Sequence, residues 1–306
     1  MELNRRQFVA AATLGGIMSS SVKAENTPPP AAGAGKLTLS AQPGHLGSGE
    51  WMNKFARARE LGLDAVEVGG GGLPEHYKEI REASKASGLP VTAVCAGFQG
   101  WAIAADPKVR QQFEDSMKRL LEAAGEIGSA GVIYVPAFHG QAALPDLEAR
   151  KHLTGFTRWD RKDEGKSLLN SLGDFAKEHK TRLLLEPLNR DETYFVRTVA
   201  EGASICRDVD NEGCAMMADL WHMTWEETSD YAAILSGARW IHHVHVASRR
   251  QRALPGTDGD ADNYSQGFKA LKEIGYTGAV SLECRSGDEA QTKAAIALIR
   301  KQWAEA

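Results

Sequence analysis

The sequence predicts an α/β fold, a single-domain (β/α)8 TIM barrel. Three observations carry this. Eight short β-prone apolar runs follow one another along the chain. Longer stretches with helical periodicity separate them, so the strands run parallel and are joined by crossovers. The whole alternation occupies about 270 residues, the usual size of one such barrel.

The runs are Leu37–Ala41, Ala65–Val68, Val91–Ala96, Gly131–Pro136, Arg182–Glu186, Ala215–Leu220, Ile241–Ala247 and Ala279–Cys284. Between the first two, Glu50–Leu61 reads as a helix. Between the third and fourth, Val109–Ile127 places Phe113, Met117, Leu120, Leu121 and Ala124 on one helical face. Thr198 with Glu201, and Thr224 with Glu227, each have the spacing of a capping box that starts a helix. Gly62, Gly88, Gly128 and Gly275 stand where helices should stop. Gly69–Gly72 lacks the Lys-Ser/Thr of a phosphate loop and reads as a mobile connection. A doubly wound open sheet is the structural alternative, but no Gly-x-Gly-x-x-Gly follows the first run.

Three segments organise the 306 residues. Arg5-Arg6 precedes a short, weakly apolar stretch, and Val22-Lys23-Ala24 offers small residues for cleavage. Residues 1–24 therefore resemble a twin-arginine signal peptide, which makes the export machinery a partner and the periplasm the expected location. Residues 25–35, with Pro28-Pro29-Pro30, read as a disordered linker. Residues 36–306 form the barrel.

Composition excludes several classes. The chain is 42% hydrophobic and 25% charged, as globular proteins are. Its 36 basic and 40 acidic residues give a net charge of −4. Cleavage after Ala24 removes Arg5, Arg6, Lys23 and Glu2, leaving a still more acidic chain and no nucleic-acid surface. Beyond residue 24 no apolar run nears the roughly 20 residues of a membrane span, and no cysteine near the cleavage point offers a lipid anchor. Cys95, Cys206, Cys214 and Cys284 include no CxxC pair, so a zinc knuckle is unsupported. A Cys206–Cys214 bridge cannot be judged from spacing, and buried free thiols are the expected state.

In this fold the chemistry sits at the carboxyl ends of the strands. The fifth run ends in Glu186, the sixth reaches Asp219, the seventh carries His243-Val-His245 and the eighth ends near Glu283. Period-two alternation turns Leu183 and Leu185 away from Glu186, and Val244 and Val246 away from His245. Three buried carboxylates without a cation would cost several kcal/mol per charge or become protonated. One divalent cation resolves that conflict. Three hard oxygens and one imidazole suit Mn²⁺ first, with Mg²⁺ or Co²⁺ as alternatives. His243, one pleat deeper, reads as a residue that supports the ligands, and His242 should face the helices.

These residues resemble the xylose isomerase-like TIM barrel family, sugar phosphate isomerases and epimerases, in its ketose 3-epimerase and hydroxypyruvate isomerase branch. Glu186-Pro-Leu-Asn-Arg190-Asp-Glu192 is similar to that branch's Glu-x-x-Asn-Arg-x-Glu, with Asp191 where an aromatic is common. Asp219-Leu-Trp-His222 resembles its Asp-x-x-His. His243-Val-His245 followed by Arg252-Ala-Leu-Pro255-Gly256 resembles its His-x-His and Arg-x-x-Pro-Gly, in a loop one residue longer. The segment Phe138–Lys166 has no obvious counterpart.

The resemblance implies a divalent-metal-dependent isomerase or epimerase of a keto sugar, acting by proton transfer through an enediolate. It implies that Glu186, Asp219, His245 and Glu283 hold the metal, and that Glu186 and Glu283 exchange protons with opposite faces of the substrate. It implies that Glu192, His222 and Arg252 bind substrate oxygens, although Arg249 and Arg250 compete with Arg252 for that role. Trp101, Trp221 and Trp225 are candidates to stack on a sugar ring or to pack in the core. A metal-dependent lyase that cleaves 3-keto-glycosides by β-elimination is the alternative function. A sugar-binding protein without turnover would not need two opposed carboxylates, and a DNA-repair enzyme would not be acidic. Whether the chain is monomeric or forms a homo-oligomer is left open.

Overall fold

The computed structural model describes residues 35–156 and 167–306. The export signal, nearly all of the linker and the end of the Phe138–Lys166 segment lie outside the described residues. Eight parallel strands form the barrel: β1 Thr38–Ala41, β2 Val66–Gly69, β3 Val91–Cys95, β4 Val132–Tyr134, β5 Leu183–Leu185, β6 Cys214–Asp219, β7 Ile241–Val246 and β8 Ala279–Leu282. Each lies within two residues of its expected run. The hydrogen-bonded order is β1-β8-β7-β6-β5-β4-β3-β2. At the seam between β1 and β2, Asp64 stitches the barrel shut. Its backbone N–H donates to the Leu39 carbonyl at 2.9 Å, and its carboxylate accepts from the Leu39 N–H at 3.0 Å.

The helices are α1 Trp51–Leu61, α2 Leu73–Ser87, α3 Pro107–Glu126, α4 Asp146–Thr154, α5 Leu168–Glu178, α6 Val199–Val209, α7 Leu220–Glu226, α8 Asp230–Gly237, α9 Ser265–Glu273 and α10 Glu289–Glu305. In α3 the residues expected on the apolar face are all buried. Its start is fixed by Pro107 and by Asp106, which accepts from the Lys108 N–H. Gly62 and Gly88 end α1 and α2 in left-handed backbone, with φ of 79° and 72°. The capping box at Thr198 and Glu201 is present.

The one expected at Thr224 is not. Asp219 caps α7 instead, and Thr224, inside that helix, donates its hydroxyl to the Leu220 carbonyl. Gly69–Gly72 is also no loose connection. A Cβ on Gly70 would lie 1.9 Å from the Ala96 carbonyl oxygen, and one on Gly97 would lie 2.2 Å from the Gly70 carbonyl carbon. The glycines let the chain segments after β2 and β3 pack backbone to backbone.

Two apolar layers follow from strand alternation. Leu183, Leu185, Val244 and Val246 join the outer layer beneath the helices. Ala93, Ile133, Leu184, Ala215 and Met217 fill the barrel interior. Ladder register then sets Asp219 beside His245 and His245 beside Ser281. Glu283 follows two residues on, over the same inner face. All four cysteines are free thiols, and the Cys214 thiol lies 3.0 Å from the Leu169 carbonyl. No helix among the described residues is long and apolar enough to cross a membrane.

Candidate metal centre and active site

Each putting of a ligand-type side chain over the barrel mouth has a local cause. Asp219 ends β6 and also caps α7. Its Oδ1 accepts from the Trp221 N–H at 2.8 Å, which leaves Oδ2 turned inward with no hydrogen-bond partner. Glu186 continues β5, its N–H held by the Tyr134 carbonyl at 3.0 Å, and its Oε1 is likewise buried without a partner. His245 on β7 and Glu283 beyond β8 complete the group. One ligand atom from each of Glu186, Asp219, His245 and Glu283 lies within 4.8 Å of all the others.

The donor set fits a divalent cation. His245 Nδ1 lies 3.2 Å from Glu283 Oε2 and 3.9 Å from Glu186 Oε1, yet has no hydrogen bond. Three unpartnered, buried polar atoms facing one another would each be costly unless something charged sits among them. Three oxygens and one nitrogen are the ligands that a Mn²⁺- or Mg²⁺-type ion prefers.

The electrostatics show the same need. Burial, and then the negative charge of Glu283, pushes the Glu186 carboxyl well above the usual carboxylate range. The same two causes raise Asp219 to about 6. Burial also acts against ionisation of Glu283, but His245 and Arg252 override it and hold that carboxyl well below the usual range. Arg252 brings fixed positive charge to these carboxylates, yet Glu186 and Asp219 are still pushed toward neutrality.

Arg252 reaches in from the loop after β7. Its guanidinium lies 2.7 Å from Glu283 Oε2, 3.5 Å from Glu192 Oε1 and 3.8 Å from Asp219 Oδ2. It also covers the Trp221 ring at 4.3 Å. Arg252 adopts left-handed backbone, φ 49°, fixed by its N–H on the Ser248 carbonyl and its carbonyl on the Arg285 N–H. The other two arginines are elsewhere. Arg249 is buried against Asp230, the Leu220 carbonyl and the Tyr264 ring. Arg250 is exposed. The competition among the three is thus decided by geometry.

His222 points Nε2 into the cluster, 3.5 Å from Asp219 Oδ2 and 3.9 Å from Glu186 Oε1. Its Nδ1 accepts from the Asn189 N–H at 3.1 Å. That assignment puts its proton on Nε2, as a donor aimed at the site. Burial, with Arg252 nearby, lowers its pKa to about 4, so it stays neutral. Glu192 borders the site through Arg252 and Asn189 Nδ2. All seven residues expected from the sequence are therefore gathered at one place.

The chain matches the family pattern described as "Xylose isomerase-like TIM barrel" over residues 55–302. The chain belongs to that family. It is 32% identical over 244 residues to the 3-dehydro-D-guloside 4-epimerase of Escherichia coli K12, across 78% of this chain and 90% of that protein. It is 29% identical over 248 residues to the D-psicose 3-epimerase of Agrobacterium fabrum C58, across 76% of this chain and 80% of that one. The crystal structure of the apo form of an E. coli 3-keto-D-glucoside 4-epimerase superposes with a TM-score of 0.76 at 27% identity, covering 87% of this chain and all of that one. These xylose isomerase-like relatives are sugar epimerases, and the chain is an enzyme of that kind.

Sequence reasoning gave no role to three residues of the site, Glu67, Gln42 and Asn189. Glu67 on β2 is fully buried and lies between His243 and His245. Gln42 donates to both Glu67 and Glu283. Asn189 orients His222. Trp221, one of the three tryptophans named from the sequence, lies under Arg252. Asn189 left a signal as the Asn of the motif that starts at Glu186, and Glu67 left one as an acid at the inward position of an apolar strand, Val66-Glu67-Val68. Trp225 is 46% exposed at the mouth, whereas Trp101 packs edge-on between Phe98 and Phe138.

Proposed function

We propose that the protein is a divalent-metal-dependent epimerase of a keto sugar, inverting a carbon next to a carbonyl by proton transfer. The observation that carries this is the set of buried, unpartnered atoms on Glu186, Asp219 and His245 beside Glu283. Glu186, Asp219, His245 and Glu283 would hold the cation, with Mn²⁺ the preferred ion. When bound, it supplies positive charge that stabilises negative charge developing on the substrate's oxygens.

The side chains do the rest. Glu186 and Glu283 enter from β5 and β8, so one removes the proton from the carbon and the other returns one from the opposite face. The His222 Nε2–H and the Arg252 guanidinium donate to substrate oxygens, and Glu192 accepts from a hydroxyl. Arg252 also holds Glu283 ionised, ready to take a proton.

The name of the E. coli relative places the inverted carbon, C4, beside the C3 ketone. A 3-keto-glycoside and free ketoses therefore make up the first test panel. The Mn²⁺-loaded protein, incubated with these in heavy water, should place deuterium at the carbon next to the carbonyl and yield the epimer. Deuterium uptake with release of the aglycone, and no epimer, would make the protein a lyase instead. No exchange with any keto sugar would overturn the reading.

A further inference from the structure

Glu67 belongs to no role described so far, yet it is fully buried under the site. Three groups surround its carboxylate. His243 Nε2 lies 2.7 Å from Oε2, His245 Nε2 lies 3.0 Å from Oε2 and 3.1 Å from Oε1, and Gln42 Nε2 donates to Oε1 at 2.9 Å. These are hydrogen-bond distances, so Glu67 is satisfied by His243 and His245 directly. An ionised carboxylate can only accept. All three neighbours must then act as donors, and His245 must carry a proton on Nε2.

We infer that Glu67 is the positioning residue of the metal centre: it fixes His245 with Nε2 protonated, so that the Nδ1 lone pair faces Glu186, Asp219 and Glu283. The unpartnered state of His245 Nδ1 is the counterpart of that arrangement. Gln42 extends the effect, because the amide that donates to Glu67 also lies 3.2 Å from Glu283 Oε1. One buried carboxylate thereby orients two of the four ligand side chains from behind. The inference rests on the cation-dependent reading above.

Glu67→Gln is the sharp test. The isosteric amide turns an NH₂ toward a shell made of donors, and one neighbour must give way. If it is His245, its proton moves to Nδ1 and the lone pair leaves the site. Mn²⁺ affinity, followed by the paramagnetic signal of the free ion, should fall about 10- to 100-fold. Long-range ¹H–¹⁵N correlation spectra of the Mg²⁺-loaded wild type should show His245 protonated on Nε2. The spectra of metal-free Glu67→Gln in alkaline buffer should show the Nδ1–H form. A merely structural role for Glu67 would lower stability without changing the tautomer.

Wild-type Mn²⁺ affinity in Glu67→Gln, or a wild-type His245 protonated on Nδ1, would overturn the inference. If Glu67→Gln does not fold, the wild-type spectrum alone still decides. A wild type that takes up no divalent ion would sink the proposed function, and the His245 tautomer of the metal-free protein in alkaline buffer would then test the role of Glu67 by itself.

Discussion

Arg252 and Glu283 meet at 2.7 Å, joining the loop after β7 to the end of β8 across the barrel mouth. The guanidinium is bracketed below by Trp221 and beside by Glu192. It is bound to a ligand-type carboxylate without itself being a ligand. Arg252→Ala should therefore leave Mn²⁺ content unchanged and reduce kcat/KM about 10- to 150-fold, the value of one charge-assisted hydrogen bond of roughly 1.5–3 kcal/mol. Steady-state kinetics with metal analysis on the same sample checks this. Loss of the metal along with activity would show Arg252 to be part of the ion's support.

Arg249 should behave in the opposite way. Its guanidinium is buried against Asp230 and the Leu220 carbonyl. Arg249→Ala leaves the half-buried Asp230 carboxylate without this partner and removes a buried side chain, which should destabilise the fold by about 1–3 kcal/mol in denaturant titrations. Arg250→Ala, at an exposed position, should change neither quantity.

Asp219 serves two partners with its two oxygens. Asp219→Asn retains a good cap for α7 and should lower Mn²⁺ affinity by removing a charged ligand. Asp219→Ala should lose the same affinity and a further 1 kcal/mol or so of stability, because the Trp221 N–H loses its acceptor. Equal melting temperatures for the two metal-free variants would contradict the capping role.

Removing the ion should weaken the folded state as well as stop turnover. A ligand present at a hundredfold excess over its Kd adds about 2.7 kcal/mol to folding stability. Mn²⁺ should raise the melting temperature of the protein as its site fills, and a chelator should reverse that. A chelated protein with full activity and an unchanged melting curve would rule out the metal centre.

The export address is tested in cells. Arg5→Lys with Arg6→Lys should hold the protein in the cytoplasm, since the twin-arginine machinery reads the arginine pair. Fractionation that finds the double variant in the periplasm at normal level would show residues 1–24 to have another purpose.

Most of the barrel was legible because strand alternation and helix periodicity are local. Phe113, Met117 and Leu121 had to share one helix face wherever α3 docked. Asp219, His245 and Glu283 had to share one sheet face once their strands were parallel. The failures were also local in origin. Thr224 and Glu227 have capping-box spacing, but the N-terminal amides of α7 were already served by Asp219, one turn earlier. Gly69–Gly72 read as slack, because a close backbone approach leaves no mark on the sequence beyond the glycines themselves.

The sequence by itself determined the fold, the four ligand-type side chains at the strand ends, Glu186, Asp219, His245 and Glu283, and the donor types that call for a hard divalent ion. Those depend on residue type, spacing and a rule about which end of a parallel strand carries chemistry. Only the tertiary structure decided which of three neighbouring arginines enters the site. Arg249 and Arg252 differ little as sequence, but one meets Asp230 and the other Glu283. It also brought Glu67 from β2 beneath His243 and His245, on a strand 176 residues away. Nothing in the chain order announces such a contact. Closing the sheet brings β2 round to face β7, and the charge and hydrogen bonds that result exist only across that closed interior.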